Sequence, residues 1–294
     1  MSKRIRLAIV SFGCLALMLA SCIVYFNNGF DKLAIKLGIS NKCPYNFVRF
    51  IDVGQGDCAL IHSDGKYVLI DTGSNEDDGM ALSRKLRDYN VERIECIIIS
   101  HDDDDHAGGA AKIIEDFDVE AIICSDYSFR DKESNIYKTV NLAKEKGTAV
   151  LNVNVGDKLF FGFAEFKFLW IDNNTTTNNN RSIVTRVSLD GCTFLFTGDI
   201  NSTIEKRLLK NNLDVKCDVY KAAHHGSSWS NCEEFLDAAR PDYCVVSCSK
   251  DNMYGFPTEA FLKRLSERNV KLYKTYERGD ITFNTTKANV SFKK

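Results

Sequence analysis

His101-Asp102-Asp103-Asp104-Asp105-His106 follows the apolar run Ile97-Ile98-Ile99 and precedes Gly108-Gly109. These six residues, at the exit of an expected strand, offer two imidazoles and up to four carboxylates. Those are nitrogen and oxygen donors that Zn²⁺ and Mn²⁺ accept. So much negative charge in one short segment repels itself unless a cation neutralises it. A solvated acidic loop flanked by His would leave unexplained the further donors at strand ends downstream.

Asp71 closes Tyr67-Val68-Leu69-Ile70 and opens Asp71-Thr72-Gly73. Asp199 lies in Thr197-Gly198-Asp199, after Thr193-Phe194-Leu195-Phe196. His224-His225-Gly226-Ser227 follows Asp218-Val219-Tyr220-Lys221-Ala222-Ala223. Each time an apolar strand delivers a polar group at its carboxyl end, the edge where layered α/β folds collect ligand sites. The chain has five His. Four of them, His101, His106, His224 and His225, fall in two of these motifs, and His62 reads as an ordinary surface or core residue.

His101-x-Asp103-x-Asp105-His106 resembles the signature of the metallo-β-lactamase superfamily, in the variant with Asp at its third position. Phe50-Ile51-Asp52-Val53-Gly54-Gln55-Gly56-Asp57 resembles the opening strand and turn of the hydrolase domain at the C-terminus of ComEC/Rec2 competence proteins. Asn178-Asn179-Asn180-Arg181-Ser182, the Phe-Thr-Gly-Asp ending at Asp199, His224-His225-Gly226-Ser227 and Tyr254-Gly255-Phe256-Pro257 continue the match in order. Gly279-Asp280-Ile281-Thr282 resembles the family's last strand. The likeness runs from about residue 46 to about residue 292.

The resemblance implies two divalent ions, Zn²⁺ or Mn²⁺. It implies that His101 and Asp103 hold one ion, that Asp105, His106 and a His of the pair His224-His225 hold the other, and that Asp199 bridges them. His225 is the favoured ligand, with His224 facing substrate or moving a proton, although the order could be reversed. Asp71 would orient a ligating His by accepting its other N–H, and Asp57 would shape the turn beside the site. Asp105, His224 and Asp71 are thus the expected catalytic group. The chain departs from the family in two places. No His lies between His106 and His224, so the Asn180–Ser182 segment stands where a further His ligand is usual. Phe256 replaces the His of a Tyr-Gly-His-Pro motif common in this branch.

Two ions bridged by a carboxylate generate hydroxide near neutral pH and clamp an in-line displacement at phosphorus. The expected reaction is therefore phosphodiester hydrolysis. DNA is the first expected substrate, with a separate channel protein as a conceivable partner. A cell-envelope phosphodiester of the phosphocholine or teichoic acid type, with an envelope partner, is the second. A catalytically weak adaptor of the same fold is the third.

The 294 residues, 44% hydrophobic, suffice for one large domain. The expected organisation is an N-terminal segment 1–26, a tether 27–45 and a hydrolase domain 46–294. The apolar run from Ile5 to Phe26, headed by Lys3, Arg4 and Arg6, is long enough to span a bilayer as one hydrophobic helix. Its basic flank would keep the catalytic domain outside the cell. Leu19-Ala20-Ser21-Cys22 also fits a lipoprotein site lipidated at Cys22, and a cleaved signal is a third reading. No Cys-x-x-Cys pair occurs among the 11 Cys, which argues against a zinc ribbon. Most sit in apolar runs as small hydrophobes; a Cys217–Cys232 or a Cys43 bridge stays open. The net charge of −2 gives no global basic footprint for nucleic acid. The local run Lys263, Arg264, Arg268, Lys271, Lys274 and Arg278, with Lys293 and Lys294, reads as a solvated face or as a rim that tracks phosphates.

The alternation predicts strands near 47–53, 57–62, 67–71, 95–99 and 120–124, then near 158–170, 183–190, 193–197, 218–222 and 243–247. Helices are expected near 79–89, 108–116 and 134–146, then near 201–210, 231–239 and 257–268. Two such halves suit an α/β fold, the metallo-β-lactamase-like αβ/βα four-layer sandwich of two mixed β-sheets, with the site along the edge between them.

Overall fold

In the computed structural model the described residues are 43, 45–77, 79–125, 132–172 and 177–293. They belong, apart from Cys43, to one unit, Tyr45–Lys294. The expected membrane segment 1–26 and almost all of the tether 27–45 lie outside the described residues. Among the described residues no helix is long and apolar enough to cross a membrane.

The first half runs β1 (Phe47–Phe50), β2 (Ala59–Ser63), β3 (Lys66–Ile70), α1 (Met80–Asp88), β4 (Arg93–Ile94), β5 (Cys96–Ile98), α2 (Asp104–Ala107), α3 (Ala110–Asp116), β6 (Asp118–Val119), β7 (Ala121–Ile123), α4 (Asn135–Lys146) and β8 (Ala149–Leu151). The second half runs β9 (Lys158–Phe161), β10 (Ala164–Trp170), β11 (Val184–Leu189), β12 (Cys192–Phe196), α5 (Ser202–Lys210), β13 (Val219–Lys221), α6 (Glu233–Ala239), β14 (Tyr243–Val246), α7 (Glu259–Glu267), β15 (Lys271–Lys274), α8 (Thr275–Arg278), β16 (Asp280–Asn284) and β17 (Asn289–Lys293).

Two mixed sheets result. One has the order β17-β16-β1-β2-β3-β5-β7-β8, antiparallel up to β3 and parallel from there. The other has the order β15-β14-β13-β12-β11-β10-β9, parallel as far as β12 and antiparallel beyond. Alternation along each strand sends one set of side chains between the sheets. Phe50, Ile61, Val68 and Ile98 of the first sheet meet Phe166, Phe168, Phe194 and Val219 of the second there. The opposite set of the second sheet, including Leu195, Tyr220 and Cys244, packs on Ile204 and Leu208 of α5, Phe235 of α6 and Phe261 of α7. Each such fully buried side chain is worth about 1.5–3 kcal/mol. Asn201 caps α5 by accepting the N–H of Thr203 and of Ile204, and Thr258 caps α7 by accepting that of Phe261.

The structure adds β8 and β15, which were not among the expected strands, and corrects the expected elements in two further places. The run 158–170 is a hairpin rather than one strand. It turns at Gly162, whose φ of +60° suits a residue without a side chain; an added Cβ would meet the Ser63 carbonyl oxygen at 2.4 Å. Asp280–Asn284 is not the last strand, because β17 follows it. Both strands return to the first sheet, where β16 pairs with β1. Cys217 and Cys232 are both free.

Candidate metal centre

The parallel strands decide where the donors gather. Asp71 follows β3, His101 follows β5, Asp199 follows β12, and the turn Ala223–Gly226 follows β13. All four strand ends open onto one edge of the sandwich.

Within residues 101–106 the carboxylates divide by turn geometry. Asp102 Oδ1 accepts the Ile136 N–H at 2.8 Å, at the start of α4. Asp104 accepts the Asn75 N–H and the Asn135 side-chain amide, each at 3.2 Å. Those two acids hold the scaffold. Asp103 and Asp105 turn the other way. Asp103 Oδ2 lies 3.2 Å from His101 Nε2, and its Oδ1 accepts the Asn178 amide at 2.5 Å. Asp105 Oδ2 lies 3.1 Å from His225 Nε2.

The hydrogen-bond network fixes which nitrogen of each His carries the proton. His106 Nδ1 is 2.9 Å from Asp71 Oδ2, and a carboxylate can only accept. His225 Nδ1 is 2.7 Å from the Ser247 carbonyl oxygen and 3.2 Å from Asp57 Oδ1. His101 Nδ1 faces two hydroxyls, Ser100 Oγ at 3.0 Å and Ser182 Oγ at 3.3 Å. Ser100 donates its proton to Asp71 and Ser182 donates its own to the Asn179 carbonyl. Both hydroxyls can therefore only accept from His101. All three rings keep the proton on Nδ1 and turn Nε2 toward the same space.

That space is filled with acceptors. Asp199 lies 3.2 Å from His106 Nε2, 3.6 Å from His225 Nε2, 3.7 Å from His224 Nε2 and 4.0 Å from His101 Nε2. His106 Nε2, His225 Nε2 and Asp199 Oδ1 are buried without a hydrogen-bond partner. The donor atoms of His101, His106 and Asp199 lie within 4.8 Å of one another, and so do those of Asp57, His106 and His225. Ring nitrogens and carboxylate oxygens this close in a dry site need a cation between them, a proton or a metal ion, so the residues present fit a divalent metal.

The electrostatics agree. Burial lowers the His106 imidazole, but the Asp199 and Asp71 carboxylates outweigh it and hold it well above its ordinary value. Burial opposes the His225 cation too, yet Asp199 and Asp57 push that ring up to about 10. Asp199 is buried, which raises it, but His106 and His225 hold it well below the usual carboxylate range. Burial likewise raises Asp105, and the His225 hydrogen bond with the His106 charge brings it down. The cluster holds positive charge in whatever form is supplied.

His224 differs from its neighbour. Its side chain is 31% exposed while that of His225 is 1% exposed. Burial is the main influence on its imidazole and lowers it, against the opposing pull of Asp199. Both rings ride on left-handed backbone, with φ of +48° and +52°. Such non-glycine conformations cost about 1–3 kcal/mol each and cluster at sites that need a fixed geometry.

Three contributors were not read from the sequence. Ser100 joins Asp71, His101 and His106 through one hydroxyl. Lys221, 3% exposed, puts Nζ 2.7 Å from Asp57 Oδ2. Burial raises Asp57, but Lys221 and then His225 bring its pKa down to about 2. Asp57 also donates its backbone N–H to the Asp105 carbonyl at 2.9 Å, so it is a junction rather than a mere turn residue. Gln55 is the third: its side-chain oxygen accepts the Ser249 N–H at 3.3 Å. The sequence carried one signal for Lys221, a lone cation inside the apolar run from Val219 to Ala223. The C-terminal cations are divided. Arg264 donates to the Ser228, Ser230 and Asn231 carbonyls beside the His pair, while Arg268 and Lys274 pair with Asp237 and Glu277.

A family model described as the metallo-beta-lactamase superfamily matches residues 51–250. ComE operon protein 3 of Bacillus subtilis is 27% identical over 255 residues, which cover 80% of this chain and 32% of that protein. Recombination protein 2 of Haemophilus influenzae is 31% identical over 242 residues, covering 81% of this chain and 28% of that protein. Competence protein ComA of Neisseria gonorrhoeae is 26% identical over 234 residues, 79% of this chain and 31% of that protein. The chain thus spans about a third of the length of these curated relatives. Among solved structures, CmlA, a diiron beta-hydroxylase from Streptomyces venezuelae, superposes with a TM-score of 0.56 at 15% identity, over 86% of this chain and 59% of that one. The metallo-beta-lactamase fold protein YhfI from Bacillus subtilis gives 0.53 at 13% identity, over 78% of this chain and 95% of that one. Likeness at that identity concerns the fold alone.

Proposed function

Because the chain belongs to the metallo-beta-lactamase superfamily and is related to competence proteins, we propose that it is a metal-dependent phosphodiesterase, a nuclease held at the membrane by residues 5–26. The observation that carries the reading is the set of buried, partnerless acceptors on His106, His225 and Asp199, ringed by Asp103, Asp105 and His101. Oxygen-rich donors of this kind suit Zn²⁺ or Mn²⁺. The relatives' names, a recombination protein and competence proteins, favour DNA as the substrate.

His101 and Asp103 would hold one ion and His106, Asp105 and His225 the other, with Asp199 beside both sets. When bound, the ions supply a hydroxide near neutral pH and Lewis-acid contact to the phosphoryl oxygens. The chain's own contribution is orientation. Asp71 fixes the His106 ring, and Ser247 with Asp57 fixes that of His225, so each presents a bare Nε2. His224, partly exposed across from Asp199, is the group that would take up a proton and pass it to the leaving oxygen. Asn178 steadies Asp103 on the side where the family usually has another His.

The test is metal content by mass spectrometry, with hydrolysis of bis-p-nitrophenyl phosphate and labelled DNA in Mn²⁺ or Zn²⁺. Turnover of both, abolished in Asp105→Ala/His106→Ala, supports the reading. Model-diester turnover without DNA cleavage turns it toward a cell-envelope diester. Undiminished turnover in the double variant refutes the mechanism.

A further inference from the structure

A run of rings leads from the metal centre to solvent. Phe256 packs against both His rings, with centroids 5.3 Å from His224 and 6.2 Å from His225. Tyr254 stacks on Phe256, centroids 5.5 Å apart and planes 17° apart. The Tyr254 residue is 60% exposed, and Met253 beside it is 89% exposed. An isolated apolar side chain at a surface needs no explanation. This one is different, because it is built.

The loop is clamped from behind by one side chain. Asn252 accepts the Phe256 N–H at 2.9 Å and donates to the Phe256 carbonyl at 2.7 Å and the Ser249 carbonyl at 2.9 Å. Thr258 donates its backbone N–H and its hydroxyl to the Gly226 carbonyl, each at 3.0 Å, which ties the loop to the turn bearing His224 and His225. Gly226 has no room for a Cβ: one would meet Pro257 Cβ at 2.8 Å. The ring stack is therefore fixed relative to the catalytic rings, with one flat aromatic face left in water.

We propose that Tyr254 is a stacking platform for an unpaired nucleobase next to the scissile phosphate, so that the substrate is nucleic acid with at least one base free of pairing. This rests on the phosphodiesterase reading and narrows it. A platform two rings from the metal ligands reaches a base attached to the reacting phosphate, whereas a base inside a duplex stack offers it no face. Base–aromatic stacking binds single strands with little regard to sequence.

The test measures binding of the full chain in detergent by fluorescence anisotropy, with chelator present so that nothing is cleaved. The probes are a labelled oligothymidylate, an abasic strand with the same phosphates, and a blunt duplex. The expected results are preference for the oligothymidylate over both others, a roughly tenfold loss in Tyr254→Ala, and retention in Tyr254→Phe, which keeps the ring. Equal affinity for the abasic strand or the duplex overturns the proposal, as does unchanged binding by Tyr254→Ala. Hydrolysis of bis-p-nitrophenyl phosphate is read separately, in metal. The platform can therefore fail while phosphodiesterase activity stands, and a silent enzyme with base-dependent binding would sink only the activity.

Discussion

Replacing Lys221 by Met should destabilise this protein far more than replacing Lys221 and Asp57 together. Lys221 Nζ and Asp57 Oδ2 are 2.7 Å apart, with both side chains under 10% exposed. At an effective dielectric of ~20, that separation corresponds to about 6 kcal/mol of gross attraction. Desolvation consumes much of it, so the pair is worth less than its Coulomb energy. Removing only the cation strands a buried carboxylate, which costs about 3–5 kcal/mol. Lys221→Met/Asp57→Asn removes both charges and should recover most of that loss. The sign against pH follows from Asp57. Its carboxyl is depressed to about 2 in the folded protein, so its contribution is present above the ordinary carboxylate range and lost as pH falls toward 2. Losing Lys221 moves that loss to higher pH. Urea unfolding in chelator at neutral pH and near pH 4 would measure the wild type, Lys221→Met, Asp57→Asn and the double variant. If Lys221→Met loses less than about 1 kcal/mol, or the double variant is as unstable as the sum of the singles, the pair is not the support described.

Three further outcomes are expected. Gly56→Ala should bind metal at least tenfold more weakly by titration, because its Cβ would meet the Asp105 carbonyl oxygen at 2.3 Å on a backbone with φ of +131°; wild-type affinity would show that Asp105 does not depend on this turn. Metal binding should release protons, because His106 and His225 are held above their ordinary values until an ion displaces the proton from Nε2. Affinity should therefore rise with pH through the neutral range; calorimetric heats independent of the buffer's ionisation enthalpy would refute it. Asp102→Ala should cost about 1 kcal/mol in thermal unfolding through the start of α4 and leave metal content unchanged; lost metal would mean that Asp102 is no mere cap.

The strand ends and the donors on them were legible because both are local. Alternation of apolar residues marks β3, β5, β12 and β13, and a polar group follows each. The division of labour among the four acids was legible only in part. The x positions of His101-x-Asp103-x-Asp105 could be assigned away from the centre, but nothing in the sequence shows that Asp102 and Asp104 serve α4 and the Asn75 loop. The hairpin at Gly162 was hidden because the aromatic residues Phe160, Phe161, Phe163, Phe166 and Phe168 run on either side of a single glycine with no other turn residue between them. The return of β16 to the first sheet, with β17 beside it, was hidden for a different reason: the partner of β16, β1, lies more than two hundred residues earlier. Lys221 and Asp57 share that difficulty, since burial pairs them and spacing does not.

The pairing of β1 with β16 also governs how the molecule can be held. Residues 45 and 46 enter at the Phe47 end of β1, opposite Asn284, whereas the turn carrying Asp57 leaves from the Phe50 end. Four strand residues at ~3.3 Å each separate the two by roughly 13 Å. β17 runs back so that Lys293 pairs with Asp280, whose carboxylate accepts the Asp52 N–H near the metal edge. A bead or dye joined just ahead of Tyr45 would therefore sit at the rim remote from that edge. The same cargo joined after Lys293 would sit on it, four strands from β3. The end chosen for attachment, and not linker length alone, decides whether an immobilised copy keeps the metal centre open.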